Sequence, residues 1–199
     1  MNPHFIFNAF NSLQLYILKK ETTSALDYMS KFAILIRKML EYASNKRIQL
    51  SEEIDFLENY LYIEQKRVSN LSFSFIIDQD IDTEATFLPP MMIQPLIENA
   101  LLHGIRHNDK DGQITVEFRL EKEHLLRCIV VDNGVGRAKS AEIYAAQQKT
   151  HTSRSTAITE ERIRLLNASS GEVNIRLEYT DLQENGIPSG TRVELVIVI

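Results

Sequence analysis

A single cysteine, Cys128, stands in 199 residues, so no internal disulfide framework holds this chain together. There is no CxxC pair. The histidines, His4, His103, His107, His124 and His151, fall without metal-ligand spacing, which removes a zinc module. A basic excess is missing too: the net charge is −5, so no overall positive field invites nucleic acid or an anionic membrane. No apolar run approaches the ~18 residues of a membrane helix, and no charged-then-apolar leader is present. The expectation is a cytoplasmic chain that makes no membrane contact itself. What remains is an ordinary globular composition, 44% apolar and 25% charged, long enough for one domain plus a smaller helical element.

Periodicity divides the chain near residue 70. Asn2 and Pro3 form a helix start signal, and Ile6, Phe10, Leu13 and Ile17 follow at 4-3-4 spacing. After a short polar hinge at 19–23, Met29, Phe32, Ile36, Met39 and Ala43 form a heptad seam. Two amphipathic helices with so short a connection form an antiparallel hairpin, and a hairpin alone cannot cover its own stripes. Two copies packed as a dimeric four-helix bundle solve that problem. A third helix starts at the capping-box-like Ser51-Glu52-Glu53-Ile54 and runs to about Val68.

Beyond that point residues 71–77 alternate as a strand, and Pro89-Pro90 precede a helix over 91–103. Strands are expected at 114–120, 125–131, 173–179 and 192–199, with a helix at 159–168. The near-continuous apolar run 125–131 suggests burial on both faces. Residues 137–157 are polar and read as an irregular lid. The sum is an α+β architecture, a helical hairpin on a mostly antiparallel sheet with helices on one face.

Two constellations carry chemistry. His4, Asn8 and Asn11 fall at i, i+4 and i+7, a polar stripe on the first helix. A histidine in a first turn meets the positive end of the helix dipole, which disfavours imidazolium and keeps the ring nucleophilic. By spacing alone an exposed surface histidine is the better reading. The string Asn2-Pro3-His4-Phe5-Ile6-Phe7-Asn8-Ala9-Phe10-Asn11-Ser12-Leu13, however, closely resembles the phosphoacceptor box of LytS/YehU-like sensor histidine kinases, with Phe10 where leucine is usual. Tyr60-Leu61-Tyr62-Ile63-Glu64-Gln65-Lys66-Arg67 is similar to a second segment of that family. The resemblance implies that His4 accepts a phosphoryl group.

The second constellation begins at Glu98 and Asn99, neighbours on a helix that point about 100° apart and so serve different contacts. Asp132-Asn133-Gly134-Val135-Gly136 then follows an apolar strand: a carboxylate beside glycines past which a ligand approaches closely. A helix end and a simple turn are the blander readings. Together the two segments resemble the N box and first glycine box of the GHKL (Bergerat-type) ATPases, and Thr191 resembles a later element of that fold. The resemblance implies an ATP site built from Asn99, His103, Asp132, Gly134, Gly136, Ser155 and Thr191, with Mg²⁺ on Asn99 and Glu98 as catalytic base toward His4. It further implies residues 1–68 as a phosphoacceptor and dimerisation region and 69–199 as the ATP-binding domain. A response regulator and a second copy of the chain are the implied partners.

Departures from the family pattern exist. Ser153 and Ser155 replace the glycines of a second glycine box, and Leu102 stands where many relatives carry a cation. The serines leave room for a nucleotide-binding module without kinase activity. A mechanical ATPase of the gyrase or MutL kind fits less well, because Pro95 occupies the place of its catalytic carboxylate. The phosphoacceptor box opens the chain with no sensory region, so a longer, membrane-bound sensor around this core is the expectation.

Overall fold

The computed structural model describes residues 3–68, 70–108, 110–121, 124–146, 154–169 and 174–199, the side chains of residues 3, 4, 146, 154–156 and 169 excepted. Two helices, α1 (Pro3–Leu18) and α2 (Thr22–Tyr42), form the hairpin, turned at Lys20, whose φ is 60°. The helix α3 (Leu50–Gln65) starts one residue before the expected capping box. Its cap is Gln49, whose N–H donates to Glu52 Oε2 at 3.0 Å. Gln49 is held extended there because Ile48–Gln49 (β1) pair antiparallel with Phe87–Leu88 (β3).

The main sheet has the order β2-β4-β5-β7-β6, with β2 Leu71–Ile77, β4 Gly112–Glu121, β5 Leu125–Asp132, β6 Ile175–Glu184 and β7 Ile187–Val198. Only β2 and β4 run parallel; the other pairs are antiparallel. Side chains alternate across a strand, so registered pairs make rows on one face. Phe118, Cys128, Leu195 and Leu177 form one row; Val116, Val130, Val193 and Tyr179 form the next. Under this face lie α3, α4 (Gln94–Asn99) and α6 (Arg154–Ser169). The run 125–131, expected to be buried on both faces, is fully buried on its second face only at Ile129, while Leu125, Arg127 and Val131 are partly exposed. On that second face Arg127 bridges Glu121 and Glu194, an ion-pair ladder on the solvent side.

The hairpin also differs from its sequence reading. Phe5, Ala9 and Ser12 of α1 and Ala25, Tyr28, Leu35 and Tyr42 of α2 are the buried positions. The expected stripe on α1 faces outward instead, with Phe10 53% and Ile17 61% exposed. Small and tyrosyl side chains win the inner face because α3 packs close, with Phe5 stacked on Tyr60 at 5.2 Å between ring centroids. The inward face of α3 is buried so thoroughly that it carries two carboxylates, Glu53 and Glu64, below the surface.

Candidate functional site

The next row along the sheet face holds Ile114, Asp132, Thr191 and Asp181. Alternation after Leu126, Cys128 and Val130 therefore turns the Asp132 carboxylate inward at the end of β5, where it is 3% exposed. Its Oδ1 accepts the Gly134 N–H at 2.8 Å, and the Thr191 N–H also reaches it. Burial outweighs these donors and lifts its pKa to about 6. The carboxylate faces a cleft of about 170 Å³ walled by Leu96, Ala100, Val130 and Val193.

Glycines set how closely this cleft is built. An added Cβ at Gly104 would collide with the Asp132 carboxylate, and one at Gly190 (φ 137°) with the Asp132 carbonyl. Gly136, at φ 77°, lines the cleft, whereas Gly134 does not: it sits against the Gly104 backbone and sets the approach of loop to helix.

The helix expected over 91–103 is α4 followed by a π-helical turn at Ala100–Gly104 and a 3-10 turn at Ile105–His107. Gly104 is thus not the stop; it lies inside the continued helix, where Asp132 needs the space. Around α4 the two polar neighbours diverge. Asn99 lines the cleft that Asp132 faces, beside His103 and Thr191. Glu98 lines a second, smaller cleft on the other side, together with Phe5, Tyr60, Glu64 and Arg67. Glu98 accepts a bond from Gln94 Nε2 at 2.8 Å and another from the Tyr60 hydroxyl, yet burial still raises its pKa. His103, partly buried and near His107, has its pKa lowered and lies 4.8 Å from the Tyr144 ring.

Residues 137–146, expected to be irregular, form α5 (Arg137–Ala146). Ser140, Ala141 and Tyr144 fall on one helical face and wall the cleft, and the Tyr144 hydroxyl donates to the Leu102 carbonyl at 3.3 Å. Arg137 fixes the helix start through a bidentate pair with Asp181. A polar composition hid this face, since its anchors are an alanine and a tyrosine at i and i+3. Tyr179 was missed as well, although its strand register places it beside Val193. The His4 backbone lies in the first turn of α1. Its side chain, that of Ser155, and Ser153 and Lys149 of the expected lid lie outside the described residues.

Comparison with known proteins fits this geometry. The family described as "Histidine kinase" matches residues 1–72. The sensor protein LytS of Staphylococcus haemolyticus is 33% identical over 138 residues, 68% of this chain and 23% of LytS. The chain belongs to the LytS-type sensor histidine kinases. The relatives that share this sequence include sensor histidine kinases. The histidine kinase domain of Erythrobacter litoralis EL346 blue-light activated histidine kinase shares the fold at TM-score 0.52 and 13% identity, covering 92% of this chain and 83% of that one. Histidine kinase ThkA in complex with response regulator protein TrrA aligns at TM-score 0.50 and 16% identity, over 98% of this chain and 59% of ThkA. The chain spans about half or less of the length of the curated relatives it matches. No described helix is long and apolar enough to cross a membrane.

Proposed function

We propose that this chain phosphorylates its own histidine His4 from ATP and passes the group to an aspartate of a response regulator. The observation that carries the reading is the divergence of Glu98 and Asn99 around α4. One faces the cleft that ends on the buried Asp132; the other faces the start of the phosphoacceptor helix. The adenine amino group donates to Asp132 between apolar walls, while Gly136 lets the backbone pass close to the nucleotide. Asn99 suits a cation that keeps most of its shell on water and phosphate, since no acidic cluster able to hold a metal occurs among the described residues. Mg²⁺ there would offset the charge spread over the transferring group.

A ring nitrogen of His4 forms the N–P bond as the bond from the γ-phosphorus to the β,γ-bridging oxygen breaks and ADP leaves. The proton of the other ring nitrogen passes to Glu98, whose pKa burial raises. ThkA, bound to its response regulator, supports the onward transfer. Exposed Leu26, Met29 and Leu40 on α2, with Phe7, Phe10 and Ile17 on α1, support a second copy completing a four-helix bundle. ATP supply and the regulator place the chain on the cytoplasmic side, as the catalytic part of a longer sensor.

The serines at 153 and 155 favour one rival, a nucleotide-binding module that signals without phosphotransfer. Glu98→Gln decides between them. In the kinase it retains ATP affinity by calorimetry and lowers His4 labelling by about 10²- to 10⁴-fold, the usual range for a lost general base. Unchanged labelling contradicts the role of Glu98, and an unlabelled parent chain favours the rival. Asn99→Asp is expected to spare much of the binding and to alter its Mg²⁺ dependence.

A further inference from the structure

The turn that leads into α4 is held from two sides by charged groups that the transfer chemistry leaves unused. Pro89 and Pro90 follow β3, and Met91 comes next with a φ of 54°, a conformation uncommon for a residue with a side chain. From α3 the wholly buried Glu53 accepts the Met91 N–H on Oε2 at 2.9 Å and the Ile93 N–H on Oε1 at 3.5 Å. From α6 the Arg162 guanidinium donates to the Pro90 carbonyl at 2.6 Å and to the Met91 carbonyl at 3.1 Å. The Ile93 carbonyl in turn accepts the Leu96 and Ile97 N–H groups, where α4 begins. We propose that Arg162, together with Glu53, is a positioning residue for the transfer: the two side chains clamp the Pro90–Ile93 turn and so set the direction in which α4 presents Glu98 and Asn99. The inference rests on the kinase reading above and adds these two residues to it.

The geometry favours a positioning role over simple packing. A largely buried turn must satisfy its own N–H and carbonyl groups, and here a carboxylate takes the donors while a guanidinium supplies the acceptors. Both groups are planar forks with two points of attachment, so the turn is fixed in rotation as well as in place. A positive φ at a methionine persists only where the surroundings hold it, and these bonds grip the peptide groups on either side of that residue. Each charge also faces the other across the turn, which offsets part of the cost of burying both. The helix that starts there is only six residues long, so a change in its entry angle passes directly to Glu98 and Asn99 at its end. The clamp therefore ties the N-box helix to α3 on the hairpin side and to α6, which Asn167 joins to β6 through both polar groups of Ile175.

The test compares the intact parent chain with two conservative variants. Arg162→Lys keeps the buried charge but loses the fork that reaches two carbonyls, and Glu53→Gln sets an amide against one of the N–H groups. Calorimetry reads ATP affinity with Mg²⁺ and with the metal chelated, and γ-labelled ATP reads the initial rate of His4 labelling at saturating nucleotide. Metal-free affinity is expected to stay within about threefold of the parent, because Asp132 belongs to the sheet and not to the clamp. The gain that Mg²⁺ adds is expected to shrink by about tenfold and the labelling rate to fall by about 10- to 100-fold, the scale of a displacement of about 1 Å. The double variant should lose about as much as the worse single one, since both act on the same turn. Full Mg²⁺ gain and full rate in Arg162→Lys overturn the positioning role. A loss of metal-free affinity as large as the loss of rate also overturns it, because Arg162 would then support the whole cleft. A parent chain that gains affinity from Mg²⁺ but carries no label overturns the kinase reading, and the affinity arm still decides the clamp.

Discussion

The nucleotide cleft and the helical hairpin are built on opposite principles. The cleft is finished within one chain. Its carboxylate is buried, its loop is locked by Asn108 donating to the Asn133 carbonyl, and Gly104, Gly134 and Gly190 stand where any side chain would collide. The hairpin is unfinished: Leu40 on α2 is 72% exposed and Leu18 on α1 is 79% exposed. Binding a small molecule demands a preformed concave site, whereas signalling through a second copy demands a surface left open. A sensor core needs both, and it keeps them in separate elements joined by α3.

Substitutions at the glycines give the largest contrast. Gly190→Ala forces a Cβ onto the Asp132 backbone at a φ of 137°. It is expected to cost roughly 2–4 kcal/mol in denaturant unfolding and to remove ATP binding. An unchanged midpoint would show that the cleft tolerates slack and would weaken the contrast.

Asp132→Asn comes next. Loss of a hydrogen bond to a buried carboxylate costs on the order of 1.5–3 kcal/mol, a ~10- to 150-fold fall in ATP affinity by calorimetry. Wild-type affinity in that variant would remove Asp132 from adenine recognition. The pH dependence sharpens the same point. With a folded-state pKa of about 6, above the unfolded value near 3.9, Asp132 takes up a proton as pH falls through 6. Ligand-free stability from this group therefore rises as pH falls through that window and is lost as pH rises through about 6. ATP affinity runs the other way, dropping by about tenfold between pH 7 and pH 5 because the acceptor loses its charge. Parallel trends in stability and affinity would contradict the assignment.

The hairpin should show the smallest change in folding and a clear change in assembly. Leu40→Glu is expected to alter the stability of one chain by less than about 0.5 kcal/mol, while light scattering moves from dimer to monomer. An unaltered dimer would mean that another surface pairs the copies.

Legibility in the sequence followed the same divide. Asp132 could be read because an apolar strand ends on it and glycines follow; its inward direction came only with the structure, since the near-continuous run 125–131 marks no inner face. The N-box segment was legible as a helix, but its π-helical turn at Ala100–Gly104 brings Gly104 against Asp132 from a distant strand, which no local pattern encodes. The α1 stripe was assigned to the wrong face because the helix carries two candidate faces. The more apolar one, Ile6, Phe10, Leu13 and Ile17, faces largely outward, and the inner one uses alanine, serine and aromatic residues matched to α3. Hydrophobicity ranks faces; fit against a distant helix decides between them. The face of α5 was illegible for a related reason, since Ala141 and Tyr144 make a weak apolar signal in a polar segment. The Tyr60 contact with Glu98 joins residues 38 positions apart and has no signature in either segment.

The central claim is that the cleft and the hairpin meet in one reaction at His4. Incubating the chain with γ-labelled ATP and Mg²⁺, beside the His4→Gln variant, tests it most directly. The expected result is protein-bound label that is stable in base and labile in acid, present in the parent and absent from His4→Gln. Equal labelling of the two chains would contradict it.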